Sequence, residues 1–195
     1  MAWLYEIGVG TYFNQTQRKN NATEVYKYFI NKGASLEAIC GMLGNMERES
    51  TLNPGIKQGA STSLGWGLIQ WTPSTVLTNW CNTYGYNWYD GSAQCERIVC
   101  EGEGTKNASG YWLKTSSYPY TWTQFLALES VSEATKAYLY ERERAPSGDE
   151  DLRIDYANAW YEYFTGSPPS PDPPTPPTPV TKRKHMPLYM MLRHL

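Results

Sequence analysis

The spacing of apolar residues predicts a chain built mostly from helices. Leu36, Ile39, Cys40 and Leu43 recur at i, i+3, i+4 and i+7, the repeat of one helix face. Ser35 precedes that run as an N-cap, since its hydroxyl can accept a backbone N–H left unpaired in the first turn. The helix is expected to reach about Arg48, where Ser50-Thr51 and Asn53-Pro54 stop it. Leu152, Tyr156, Ala159, Trp160, Tyr163 and Phe164 form a second strong stripe, ended by Gly166. Val76, Leu77, Trp80 and Cys81 share a face within 74–84, and 94–101 reads as a further helix. An Asn21/Glu24 capping box opens a helix over 24–32, closed by Gly33. Ser130 or Ser132 starts another that runs to about Arg144. Residues 1–20 and 102–120 have no clear period, 145–149 read as a turn, and 65–71 read as strand-like. The expected fold is α+β, mostly α.

From Ser167 the pattern changes. Eight prolines between Pro168 and Pro179 make 167–181 an extended, semi-rigid spacer. Residues 182–195 are basic at one end and apolar at the other. They are too few to bury their own Met and Leu side chains, so they are expected to dock onto another protein. The organisation is thus a lead at 1–20, a globular domain at 21–166, a linker at 167–181 and a tail at 182–195.

Composition narrows the chemistry. Of 195 residues 41% are hydrophobic, enough for a sizeable core. No segment approaches the ~20 apolar residues of a membrane span. The first residues lack the basic end and apolar run of a signal peptide. The chain carries −2 overall, and Lys182, Arg183, Lys184 and Arg193 supply +4 at the end, which leaves −6 on the body. An acidic body argues against nonspecific nucleic-acid binding. The cysteines Cys40, Cys81, Cys95 and Cys100 form no CxxC and have no His nearby, so no metal or cofactor is expected. Cys40 reads as a buried thiol, and reduced cysteines are the simpler reading for the rest. The only histidines are His185 and His194. Hydrolysis through Ser-His-Asp, Cys-His or a zinc centre needs a positioned imidazole, which the body does not have.

A carboxyl-only mechanism fits what remains. Residues 47–71 read ERESTLNPGIKQGASTSLGWGLIQW, a helix end and a turn followed by a segment with an amide and two indoles. Cleaving a glycosidic bond needs a carboxylic acid still protonated at its task. A free Glu has a pKa of roughly 4.3, so its surroundings must raise it. Apolar burial does so, as do the carbonyls at a helix C-terminus. Glu49 can have both, with Trp66, Leu68 and Trp71 as walls and Gln70 to bond a sugar hydroxyl or acetamido group. Periodicity by itself favours Glu47, which continues the apolar stripe while Glu49 falls off it. Tyr and Trp, with apolar faces and polar edges, suit sugar stacking, and aromatics are 14% of the chain.

Several short runs resemble the phage tail lysozyme family. They are Ala38-Ile39-Cys40-Gly41-Met42-Leu43-Gly44-Asn45-Met46, Glu49-Ser50-Thr51, Asn53-Pro54-Gly55, Thr62-Ser63-Leu64-Gly65, Gly67-Leu68-Ile69-Gln70-Trp71-Thr72-Pro73 and Tyr140-Glu141-Arg142. The likeness runs from about Asn21 to Gly166 and is sparse between Cys81 and Gln124. The Glu-Ser followed by Gly-Leu-x-Gln-Trp is also similar to goose-type lysozymes and lytic transglycosylases. The resemblance implies a lysozyme-like fold, bacterial peptidoglycan as substrate and a place on a phage tail, with 182–195 as a tether to another virion protein. It implies Glu49, not Glu47, as the acid, and Ser50, Trp66, Gln70, Trp71 and Glu141 are expected toward the substrate. The family usually has Pro directly after Tyr-Glu-Arg, whereas Glu143 stands here. Glu141 and Arg142 are expected to be a structural ion pair behind the cleft. Larger relatives carry a metallopeptidase domain after the lysozyme domain, which this chain is expected to lack.

Asp90, Glu101, Glu103 and Glu141 are the candidates for a second, water-activating group, and the substrate's own acetamido group is another route. A lytic transglycosylase, a lysis endolysin and a noncatalytic wall-binding module are the rival readings.

Overall fold

A computed structural model gives the architecture, and it describes residues 2–144 and 149–169. The order is β1 (Gly8–Val9), α1 (Gln15–Ile30), α2 (Leu36–Ser50), β2 (Ile56–Lys57), α3 (Thr75–Tyr84), α4 (Gly91–Glu103), α5 (Trp122–Leu126), α6 (Val131–Tyr138), a π-helical turn (Leu139–Glu143) and α7 (Glu150–Thr165). The fold is mostly helical with little strand, as the periodicity implied. The tail and all but the first residues of the Pro-rich linker lie outside the described residues, as does most of the turn expected over 145–149.

Helix α2 is the centre of the core. Ser35 caps it by accepting the Ala38 N–H at 3.0 Å. Ile39, Met42, Leu43 and Met46 are fully buried, and α2 packs chiefly on α6 and α7. Each such side chain is worth about 1.5–3 kcal/mol when taken from water. The helices approach closely because Gly41 faces the backbone of Ala134, and Gly44 faces Arg153 and Ala157. Asn45, wholly buried between them, donates to Thr135 O at 3.1 Å and accepts from Arg153 at 3.0 Å.

Three elements depart from the sequence reading. Helix α1 starts at Gln15, not near Glu24, because Asn14 and Gln17 form the capping box. Asn21 caps nothing: it is buried inside α1, where its amide bonds both Leu4 backbone groups and Leu52 O. The irregular lead is thereby fastened to the turn after α2, and Asn53 reinforces this through Glu6 and Thr11. The buried face of α7 is Arg153, Ala157 and Trp160, while Leu152 and Tyr163, both on the expected stripe, are exposed. Small Ala157 against Gly44 and an inward arginine made this face invisible to an apolar count. Finally, 65–71 is a turn-rich loop with isolated bridges, and β1 and β2 make a two-residue parallel pair. The four cysteines are free and buried.

Candidate active site

Glu49 stands one residue before the end of α2, and the chain beyond it is tightly held. Ser50 donates to Met46 O at 2.9 Å and accepts from Leu52 N, while Thr51 and Leu52 both take positive φ. Two successive non-glycine residues in that region are uncommon and need such local bonds. The reversal after α2 aims Glu49 into a cleft of about 640 Å³, within the usual range for a ligand site. Val9 and Tyr12 of the lead, Ile56 and Lys57 of β2, Ile69, Gln70 and Trp71 of the loop, Val76, Tyr111 and the end of the π-helical turn complete its walls.

The 65–71 loop is positioned from behind. Gln94, fully buried on α4, accepts from Leu68 N at 2.7 Å and donates to Pro54 O and Trp88 O. Gly67 has φ +85° and touches that amide, so a side chain there would collide. Gln70 has φ +50°, with its amide nitrogen donating to Gly67 O at 2.8 Å. The indole N–H of Trp71 donates to Glu101 Oε1 at 2.7 Å, which fixes the ring in the cleft wall.

Glu101 is the hub of a buried charge cluster. It accepts from Arg97 Nε at 2.8 Å and from Arg142 Nε at 2.6 Å, with no exposed side-chain surface. Arg142 therefore pairs with Glu101 and not, as the sequence suggested, with Glu141. Glu141 points away from the cleft. It is fully buried, accepts the Tyr120 N–H at 3.0 Å and anchors the 113–120 loop, and burial pushes its carboxyl up to about 7.

The expected site residues thus divide. Glu49, Gln70 and Trp71 meet in one cleft. Ser50 is buried in the helix-end bonds just described. Leu68 lies wholly in the core rather than forming a cleft wall. Trp66 is outside the lining, tilted against Trp88 with Lys57 Nζ 4.0 Å above its ring. Asp90 caps α4, and Glu101 is engaged by the two arginines. Glu47, favoured by periodicity, is buried on another side of α2 against Arg18 at 2.6 Å, and burial raises its carboxyl above the usual range.

One residue behind the cleft and one in its wall were not anticipated in these roles. Arg153 of α7 binds Glu49 Oε1 at 2.5 Å, and Asn45 holds the other side of that guanidinium. Glu143 lines the cleft with one carboxyl oxygen buried and unpaired. Desolvation, with repulsion from Glu49 and Glu101, outweighs Arg142 and Arg153 and pushes Glu143 up to about 8. Its place after Tyr-Glu-Arg was the sequence signal, but not its direction. The π-helical turn, closed by Arg144 N to Leu139 O at 2.7 Å, shifts the helical phase there.

Comparison with known proteins identifies the family. A family model described as phage tail lysozyme matches residues 20–164. The chain belongs to the phage tail lysozyme family. It is 33% identical over 159 residues to Morphogenesis protein 1 of Bacillus phage B103, which covers 80% of this chain and 42% of that protein. The chain therefore spans less than half the length of that relative. No helix among the described residues is long and apolar enough to cross a membrane, and no group of His, Cys, Asp or Glu among them is arranged to hold a metal. For a family named for lysozyme activity, the cleft supplies carboxyl groups, an amide and an indole, a set suited to glycosidic chemistry.

Proposed function

We propose that this chain is a virion-associated glycosidase that cuts bacterial peptidoglycan between the amino sugars of the glycan strand as a phage penetrates its host. Glu49 is the general acid that protonates the leaving oxygen. Gln70 holds the sugar, Trp71 backs the wall from a nearly buried position, and Tyr12 stands at the mouth of the cleft. The observation that carries this reading is the meeting of Glu49, Gln70 and Trp71 in one large cleft of a phage tail lysozyme family member. Residues 182–195 are proposed as the tether to another tail protein.

Digestion of purified Gram-positive peptidoglycan, with fragments identified by mass, tests the activity. Glycan fragments with reducing ends are expected. Anhydro-sugar ends would instead indicate a transglycosylase, free stem peptides would indicate a different bond, and no release would indicate a binding module. Finding the protein in purified particles, and losing it when 180–195 are deleted, is the expected result for a tail location and tether.

A further inference from the structure

Glu143 belongs to the same cleft as Glu49, although nothing in the apolar pattern directs it there. The charged and titratable groups facing it come from five elements. They are Arg142 of its own turn, Glu49 of α2, Glu101 of α4, Tyr138 of α6 and Arg153 of α7. Each arginine already has another carboxylate: Arg142 holds Glu101, and Arg153 holds Glu49. Glu143 is left with an enclosed oxygen that makes no hydrogen bond. A carboxylate in that position is costly unless it carries a proton or gains a partner.

We propose that Glu143 is the second catalytic carboxylate, working with Glu49 as the acid–base pair of the cleft. The proposal rests on the glycosidase reading above and supplies the group that reading leaves open. Glu49 Oε1 accepts from Arg153, while the enclosed oxygen of Glu143 accepts from nothing. The raised position of Glu143 agrees with this arrangement. Two carboxyls that repel each other in one cleft hold their protons as a pair rather than singly. In the reactive tautomer the proton is on Glu49. As the C1–O bond breaks, Glu49 gives that proton to the leaving oxygen. Glu143, now ionised, takes a proton from water as the water oxygen bonds to C1. The pair ends with one proton, and one water has been consumed for each bond cut.

The test compares wild type, Glu143→Gln and Glu143→Asp, all as full chains on purified peptidoglycan, across pH 4 to 9 (about the range over which carboxyls shifted by burial titrate). Folding is checked by circular dichroism. For Glu143→Gln the expected turnover loss is about 100-fold or more, the range for a positioned base, with KM within about threefold of wild type. The alkaline limb of the wild-type profile should also move to lower pH, because the group that keeps the proton into the neutral range is gone. A purely structural role would lower the folded fraction without moving that limb. Glu143→Asp should keep the limb while losing about tenfold in turnover through its shorter reach. A folded Glu143→Gln variant within about threefold of wild type, with the limb in place, would overturn the assignment. If the Gln variant fails to fold, Glu143→Asp decides, and unchanged turnover there overturns it. A wild type that releases no glycan fragments defeats the glycosidase reading itself, whereas an active wild type with an indifferent Glu143→Gln defeats only this assignment.

Discussion

Replacing Glu141 with Gln should make the protein more stable at neutral and alkaline pH and leave it nearly unchanged in mild acid. The Glu141 carboxyl has no exposed surface, accepts from the Tyr120 N–H, and is pushed by burial from 4.5 up to about 7. A carboxyl raised in this way binds its proton more tightly when folded than when unfolded. Its contribution is therefore fully present below about pH 4.5 and lost as pH rises through 7. At about 1.4 kcal/mol per pKa unit the loss is about 3 kcal/mol once both states are ionised. Gln keeps the acceptor for Tyr120 and mimics the protonated acid, so it removes this dependence. Urea unfolding of wild type and Glu141→Gln at pH 5 and pH 8 measures it. Glu47 and Glu143 are also raised, but they contribute equally to both proteins and cancel in the difference. The reasoning predicts a gain of about 2–3 kcal/mol at pH 8 and less than about 1 kcal/mol at pH 5. An equal effect at both pH values, or a loss at pH 8, would refute it.

Other substitutions probe the scaffold around the cleft. Glu101→Gln strips the charge that Arg97 and Arg142 share, and should cost about 3–5 kcal/mol in chemical denaturation. It should also change the fluorescence of Trp71, whose indole bonds that carboxylate. Gly44→Ala would drive a methyl group against the Arg153 carbonyl and to 2.8 Å from the Ala157 methyl. The expected cost is about 1–3 kcal/mol in urea unfolding, with a fall in turnover because Arg153 moves relative to Glu49. Tyr12 is 68% exposed at the cleft mouth. Tyr12→Ala should raise KM for glycan fragments by about 2- to 10-fold, the equivalent of about 0.5–1.5 kcal/mol of ring contact, with little change in kcat.

Much of the helical frame was legible from local signals. Ser35 and Ser130 each cap a helix, and Gly166 ends one in the left-handed region that end requires. Short helix α5 carried too few residues to show a period. The cleft was less legible because its key partners depend on tertiary contact. Arg153 reaches Glu49 across 104 positions, Gln94 props the loop from α4, and Tyr12 comes from a lead with no pattern. Glu47 shows the limit most clearly. Periodicity gave its burial correctly, but an inward position on α2 leads to Arg18, whereas the cleft opens beside the helix end. The π-helical turn hid Glu143 in the same way, by breaking the repeat on which the reading depended.

The most direct test of the account is fragment release from purified Gram-positive peptidoglycan by wild type and by Glu49→Gln, with both proteins shown to be folded. The account predicts glycan fragments from wild type and a loss of about 100-fold or more in the folded variant, the least expected when a positioned acid is removed. Full activity in Glu49→Gln would contradict it.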